Sequence, residues 1–304
     1  MENVFHNNID TLCFSGGGMK ACTFYGALQY LEETKQIDIS KITTFGGSSI
    51  GAITALVLCL GYTITDMVDF TLKFNFGFLE PIVNCENLFG NYGLADNNKV
   101  PIIIENFIKT KTDKNDLTFL ELYKLTNKKL IITGSNITDL TIEYFSYLTT
   151  PNMSIILAIQ ISSCIPVIFN PITYNDKYYV DGCIADVMPI SQCNPYTTIA
   201  LIVTSKPADV KSLERVVLSC FDLALGASLI NKYNNKYNII KLYDGDVSSV
   251  DFNMTIECKQ RLIDSGRTTA EEYIKNYKPK YNHIETQTET TDDLVQIVIN
   301  VNQS

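Results

Sequence analysis

A serine hydroxyl attacks a carbonyl only when one group takes its proton and others hold the oxyanion that forms. Two glycine-rich stretches of this chain carry residues suited to that chemistry. Gly47-Ser48-Ser49-Ile50-Gly51 fits the pattern G-x-S-x-G, with Ser49 at its centre. Ser48 cannot be the centre, because position 50 would then need glycine and is isoleucine. In such an elbow Gly47 and Gly51 let the backbone turn sharply from strand into helix. The turn lifts the hydroxyl above the sheet and aims the positive helix N-terminus at the reacting atoms. The plainer alternative is a loop whose serine merely caps a helix. The second stretch, "SGGGMKA", places Gly16, Gly17 and Gly18 after a strand-like segment, where successive N–H groups can line one concavity for negative charge. A nucleotide loop fits it poorly. Lys20 is followed by Ala21 and Cys22, not by Ser or Thr, and no acid stands at the end of a second strand.

The proton acceptor is the harder question. The chain has two histidines, His6 in a polar leader and His283 in a polar tail, and neither follows a strand. A Ser-His-Asp triad is therefore not expected, and a carboxylate must serve. "KYYVDG" ends a strand-like run on Asp181-Gly182, which also reads as an ordinary turn. Asp139, Asp176 and Asp186 lie near strand ends as well, and spacing does not choose among the four.

These residues need a frame to hold them. Strand-like segments at 11–15, 42–45, 129–133, 141–147, 177–180 and 198–203 alternate with helix-like segments at 19–33, 50–61, 212–232 and 257–277. Residues 66–126 read as mostly helical with polar loops. The alternation predicts an α/β fold: one domain whose central, mostly parallel sheet is flanked by helices. Residues 155–169 are uncharged but short and end near Pro166, so a buried helix is expected there and not a membrane span. Residues 279–304 carry "ETQTETTDD" and read as an acidic, Thr-rich appendage, with "LVQIVINV" able to pair as a strand.

Composition narrows the partners. The 304 residues include 46% hydrophobic and 19% charged residues, enough for a sizeable core, and the net charge is −9. Three arginines in an acidic chain argue against a nucleic-acid partner and against binding to anionic membranes by charge alone. Nine cysteines without a C-x-x-C pair read as buried, reduced thiols of a cytoplasmic protein. "MENVFHNNID" has no basic or apolar leader, so no signal peptide is expected.

The stretches "SGGGMKACTFYGALQYLEE", "GGSSIGA" and "YYVDGCIADVMP" resemble, in order, the three signatures of the patatin-like phospholipase family. "ISSCIPVIFNP" and "DFNMTIECKQRLIDSGRTTAEEYI" resemble its flanking segments, so the likeness spans about residues 9–278. The resemblance implies a three-layer α/β/α fold and a Ser-Asp dyad without histidine. Ser49 is then the nucleophile, Asp181 its proton acceptor, and Gly16, Gly17 and Gly18 the oxyanion hole. Lys20, Gly47, Gly51 and Gly182 support the motifs. The implied activity is hydrolysis of acyl esters of phospholipids or other glycerolipids, with transient contact at a lipid interface and no metal or organic cofactor. A soluble carboxylesterase or thioesterase, or a lipid-binding protein with weak hydrolase activity, are the alternatives. Two positions depart from the pattern. Cys183 follows Asp181-Gly182 where the family has Gly or Ala, and Ala21 stands where it usually has Gly. Neither removes a reacting atom. "FNFGFLEPI", residues 74–82, is a candidate interfacial loop, with ordinary core as its plainer reading.

Overall fold

The computed structural model describes residues 3–6, 9–204, 216, 219–220, 223, 236–243 and 247–278. Its elements run β1 (Thr11–Phe14), α1 (Cys22–Glu33), β2 (Thr44–Gly47), α2 (Ile50–Cys59), α3 (Ile64–Lys73), α4 (Cys85–Asn91), β3 (Gly93–Ala95), α5 (Lys99–Thr112) and α6 (Phe119–Thr126). They continue with β4 (Lys129–Asn136), β5 (Thr141–Phe145), α7 (Ile155–Ser162), β6 (Val167–Phe169), β7 (Ile172–Tyr174), β8 (Lys177–Val180), β9 (Thr198–Thr204), β10 (Asn238–Tyr243) and α8 (Ile256–Lys275).

The main sheet has the order β10-β9-β1-β2-β4-β8-β7, with β5 also on β4. From β10 to β4 every pairing is parallel, and β5, β8 and β7 add antiparallel pairs at the other side. The expected α/β domain with a mostly parallel, helix-flanked sheet is therefore what the chain forms. Strand periodicity sorts its core. Leu12, Phe14, Leu130, Ile132, Ile199 and Leu201 pack with α1 and α2 in the largest apolar cluster. The residues between them, Cys13, Ile131, Ala200 and Ile202, face the other way onto Val187, Met188 and Ile190. Burying one large apolar side chain is worth about 1.5–3 kcal/mol, so this two-sided register fixes where each strand ends.

Those ends position the site. β1 runs into the triple glycine and β2 into the serine pair, at adjacent positions of one sheet edge because Phe14 pairs with Gly47. The helix expected over 19–33 begins later. Gly17 and Gly18 have φ of 152° and 56°, and Met19 N–H donates to Ser249 O at 2.8 Å. A 3-10 turn, Gly18–Ala21, therefore precedes α1. The buried apolar helix α7 ends at Ser162, and β6 follows Pro166. The helix expected over 212–232 lies outside the described residues save 216, 219–220 and 223, and the tail 279–304 lies wholly outside them. Among the described residues no helix is long and apolar enough to cross a membrane.

Candidate active site

Ser49 sits between β2 and α2 at φ 53° and ψ −125°, a backbone strain that L side chains rarely tolerate. Close packing enforces the bend. A Cβ on Gly47 would strike Gly51 O, and a Cβ on Gly51 would reach 2.5 Å from both Phe14 O and Ser15 O. Ser49 N–H donates to Ser162 Oγ at 2.9 Å, which ties the elbow to the end of α7. The first turn of α2 carries no acidic residue of its own to offset the helix's positive end.

Ser49 Oγ–H donates to Asp181 Oδ2 at 2.7 Å, across 132 residues of sequence. Asp181 leaves β8 as the cap of a short 3-10 turn, Gly182–Ile184. Its other oxygen, Oδ1, accepts the Cys183 N–H at 2.8 Å, and its own N–H donates to Cys164 O at 2.8 Å. Ser135 Oγ–H donates to Asp181 O at 2.8 Å. Asp181 is 2% exposed. Burial pushes its pKa from 3.8 up to about 6, against the pull of the bonds from Cys183 N–H and Ser49 Oγ–H.

The three glycines divide. Gly16 N–H donates to Val187 O at 3.1 Å, so it cannot also point at a substrate oxygen. Gly16 instead lets Cys183 approach, since a Cβ there would strike Cys183 Sγ. The expectation of three equivalent donors is corrected on this point. No hydrogen bond within the described residues engages the N–H of Gly17 or of Gly18. Ser15 anchors the loop from below: its hydroxyl donates to Gly16 O at 2.7 Å and accepts from Val203 N–H at 3.0 Å. Lys20 is buried in the turn, its N–H on Gly17 O, and lines neither cavity near Ser49. Gly182 packs against Thr133 O and Ser48 Oγ.

Ser49 and Gly18 open into a cavity of about 460 Å³. Its walls include Ile50, Ile53, Phe76, Leu79 and Ile165, with Asn84, Asn97 and Asn98 on one side. No residue of the stretch 74–82 is buried, so it is not ordinary core. Phe76 and Leu79 line the cavity, whereas Ile82 is 80% exposed at its rim. His6 is exposed at the N-terminal end, and His283 lies outside the described residues. Asp139 pairs with Lys177, and Asp186 accepts from Tyr144 Oη–H at 2.6 Å. Asp176 sits in the tight turn between β7 and β8 at φ 60°.

Residues 12–193 match the model of the patatin-like phospholipase family. The chain belongs to this family. The patatin-like chain is 35% identical over 185 residues to a protein of Invertebrate iridescent virus 6 named a probable lipid hydrolase, 463L; the match covers 59% of this chain and 61% of the relative. It is 26% identical over 290 residues to protein R571 of Acanthamoeba polyphaga mimivirus, covering 90% and 96%. Among solved structures it is similar in fold to VipD from Legionella pneumophila, with a TM-score of 0.57, 20% identity and coverage of 88% of this chain and 67% of that one.

Reading outward from the motifs leaves Ser162, Ser135 and Cys164 unfound. Each acts through hydrogen bonds to motif residues, and no local pattern announces such bonds. Ser162 and Cys164 do fall within "ISSCIPVIFNP", the signal that could have pointed to them.

Proposed function

We propose that this protein is a lipid acyl hydrolase of the phospholipase A type, working through a Ser49–Asp181 dyad without histidine. The observation that carries the proposal is the 2.7 Å hydrogen bond from Ser49 Oγ to the buried Asp181 carboxylate, made at a strained elbow that opens into a largely apolar cavity. Family membership and the name of the viral relative support the substrate class.

Ser49 Oγ attacks the ester carbonyl carbon while its proton passes to Asp181 Oδ2. A carboxyl held at about 6 is mostly ionised at neutral pH yet basic enough to take that proton. The C=O electron pair moves to oxygen, and the N–H groups of Gly17 and Gly18 receive the oxyanion. The tetrahedral species collapses, the C–O bond to the glycerol side breaks, and Asp181 returns the proton to the leaving alkoxide. Water then adds to the acyl-Ser49 ester, giving its proton to Asp181 and its oxygen to the carbonyl carbon. Collapse releases the fatty acid, and the proton on Asp181 goes back to Ser49 Oγ. Apart from the ester and water, every group that acts in these steps belongs to the chain.

Access to lipid is proposed through the rim of the cavity. Ile82 is 80% exposed and Phe89, on α4, 86% exposed, with Val83 and Tyr92 exposed beside them in sequence. Among the described residues the one cation lining the cavity is Lys99, whose ammonium donates to Glu80 O at 2.6 Å, so apolar contact and not charge would bring the rim to a lipid surface. A fluorophosphonate probe tests the nucleophile and vesicles test the substrate. Labelling at Ser49, absent in Ser49→Ala, together with fatty-acid release from phosphatidylcholine vesicles, is the expected result. Labelling with turnover of soluble esters alone would make the protein a carboxylesterase. No labelling would remove the dyad.

A further inference from the structure

A second cavity, of about 390 Å³, adjoins the one at Ser49 and meets it over Gly18, Met19, Ile50 and Ile53. Its floor is one face of α2: Ile50, Ile53 and Val57 recur three and four apart, starting one residue after Ser49. Its walls are α3, through Met67 and Phe70, and α5, through Ile104 and Phe107. The end near the site is marked by Phe76, Leu79 and Val100, which line both cavities. At the other end stand Tyr62, Asp66, Asn106 and Thr110, which line only the second. Tyr62 closes the apolar part: its hydroxyl donates to Phe107 O at 3.0 Å and its ring meets the Phe107 ring edge-on at 5.5 Å. Beyond it the side chains are polar and solvent-exposed, and Asp66 accepts the Thr63 N–H in the capping box that starts α3.

We infer that the fatty-acyl chain of the substrate lies in this groove, and that α2 measures it. The inference rests on the dyad reading above. An acyl group bonded to Ser49 Oγ starts at the first residue of α2, and the helix axis leads its chain past Ile53 and then Val57. Ile50 to Val57 spans about 10 Å at 1.5 Å per residue. Each methylene taken from water into such a groove is worth about fourfold in binding. Gain with chain length should therefore continue past Val57 and stop at Tyr62, where a longer chain would have to cross polar side chains. Bulk added at Ile53 should shorten the accepted chain more than the same bulk at Val57.

The test is kcat/KM on p-nitrophenyl esters from acetyl to palmitoyl, for the wild type, Ile53→Phe, Val57→Phe and Tyr62→Ala, with folding checked by circular dichroism. In the wild type the value should climb from acetyl to a medium-to-long optimum. Ile53→Phe should lower the octanoyl-to-acetyl ratio at least tenfold, which asks that only about two methylenes be displaced. Val57→Phe should lower the palmitoyl-to-octanoyl ratio by as much, with a smaller effect on octanoyl-to-acetyl. Tyr62→Ala opens the groove without adding bulk and should raise the palmitoyl-to-octanoyl ratio several-fold, which decides the matter if Val57→Phe does not fold. Folded variants with the wild-type length profile, or an equal loss on every ester, overturn the ruler while leaving the dyad standing. A wild type that neither reacts with fluorophosphonate nor turns over any ester overturns the dyad instead.

Discussion

Replacing Asp181 by asparagine keeps the outline of the side chain and removes its charge. The amide oxygen can still accept the Cys183 N–H, and the amide nitrogen faces Ser49 Oγ where Oδ2 stood. Activity should fall by at least 10²–10⁴, the usual worth of a positioned base. Stability should move the other way. Burial holds the carboxyl at about 6, against 3.8 in the unfolded chain, so the folded state resists ionisation. The sign follows from proton counts: between about pH 4 and 6 the folded protein holds a proton that the unfolded chain has released, so stability falls as pH rises through that window. Above it the full penalty applies, about 3 kcal/mol at 1.36 kcal/mol per tenfold in proton affinity. Asparagine escapes it, and at about 2 °C per kcal/mol for a large domain the variant should melt ~6 °C higher at pH 8. Near pH 4 the two proteins should melt together. The wild-type kcat/KM should carry an acid limb near pH 6, as the base gains its proton. Thermal melts in the two buffers, with ester kinetics alongside, check all of this. Equal melting at pH 8, or a gap that persists at pH 4, would refute the assignment of Asp181 as a buried base.

Gly17→Val should lower kcat far more than it changes KM. Gly17 has φ 152° and its Cβ would lie 3.2 Å from Val203 Cβ, so the N–H would be turned from its aim; losing one oxyanion donor costs about 2.7–4 kcal/mol, and an unchanged kcat in a folded variant removes Gly17 from the oxyanion hole. His6→Gln with His283→Gln should keep ester turnover within about twofold; a folded but inactive double variant would mean that a histidine takes the proton. Ile82→Ser with Phe89→Ser should weaken binding to phosphatidylcholine vesicles and slow their hydrolysis about tenfold or more, as expected when exposed apolar side chains carry the contact. Measured by vesicle flotation, equal binding would move the lipid-facing surface elsewhere.

How much of this was legible before the fold was known depends on the range over which each signal acts. Ser49 announces itself within five residues, because the elbow is a local backbone problem that only Gly47 and Gly51 solve without a clash. Asp181 does not. Its strand end looks like those of Asp139 and Asp186, and only the resemblance to a family singles it out. The fold separates them by what each touches: Asp139 holds Lys177 and Asp186 holds Tyr144, while Asp181 reaches Ser49. The long parallel strands were readable from their apolar runs. The strands β3, β6 and β7 were not, since three residues cannot show a period of two against their neighbours. The late start of α1 was hidden for a related reason. Met19 is an acceptable helix residue, and its N–H is taken by Ser249, 230 positions away in sequence.

The same distinction between local and distant causes accounts for Cys183, which departs from the small residue expected after Asp181-Gly182. Position 183 holds Asp181 Oδ1 through its backbone N–H at 2.8 Å, a bond that any residue but proline can supply. The side chain faces a separate constraint. Cys183 Sγ lies where a Cβ on Gly16 would have to stand, so the thiol fits only because residue 16 is glycine. Its S–H donates to Ser48 Oγ at 3.5 Å. A thiol beside a nucleophilic serine would be a rival if it ionised. Here burial and then the neighbouring Asp181 charge push its pKa well above the ordinary cysteine value, which favours the neutral thiol over the thiolate. Gly16 and Cys183 are therefore one interlocked pair beside Ser49 and Asp181, and the proposed oxyanion hole is left to the N–H groups of Gly17 and Gly18.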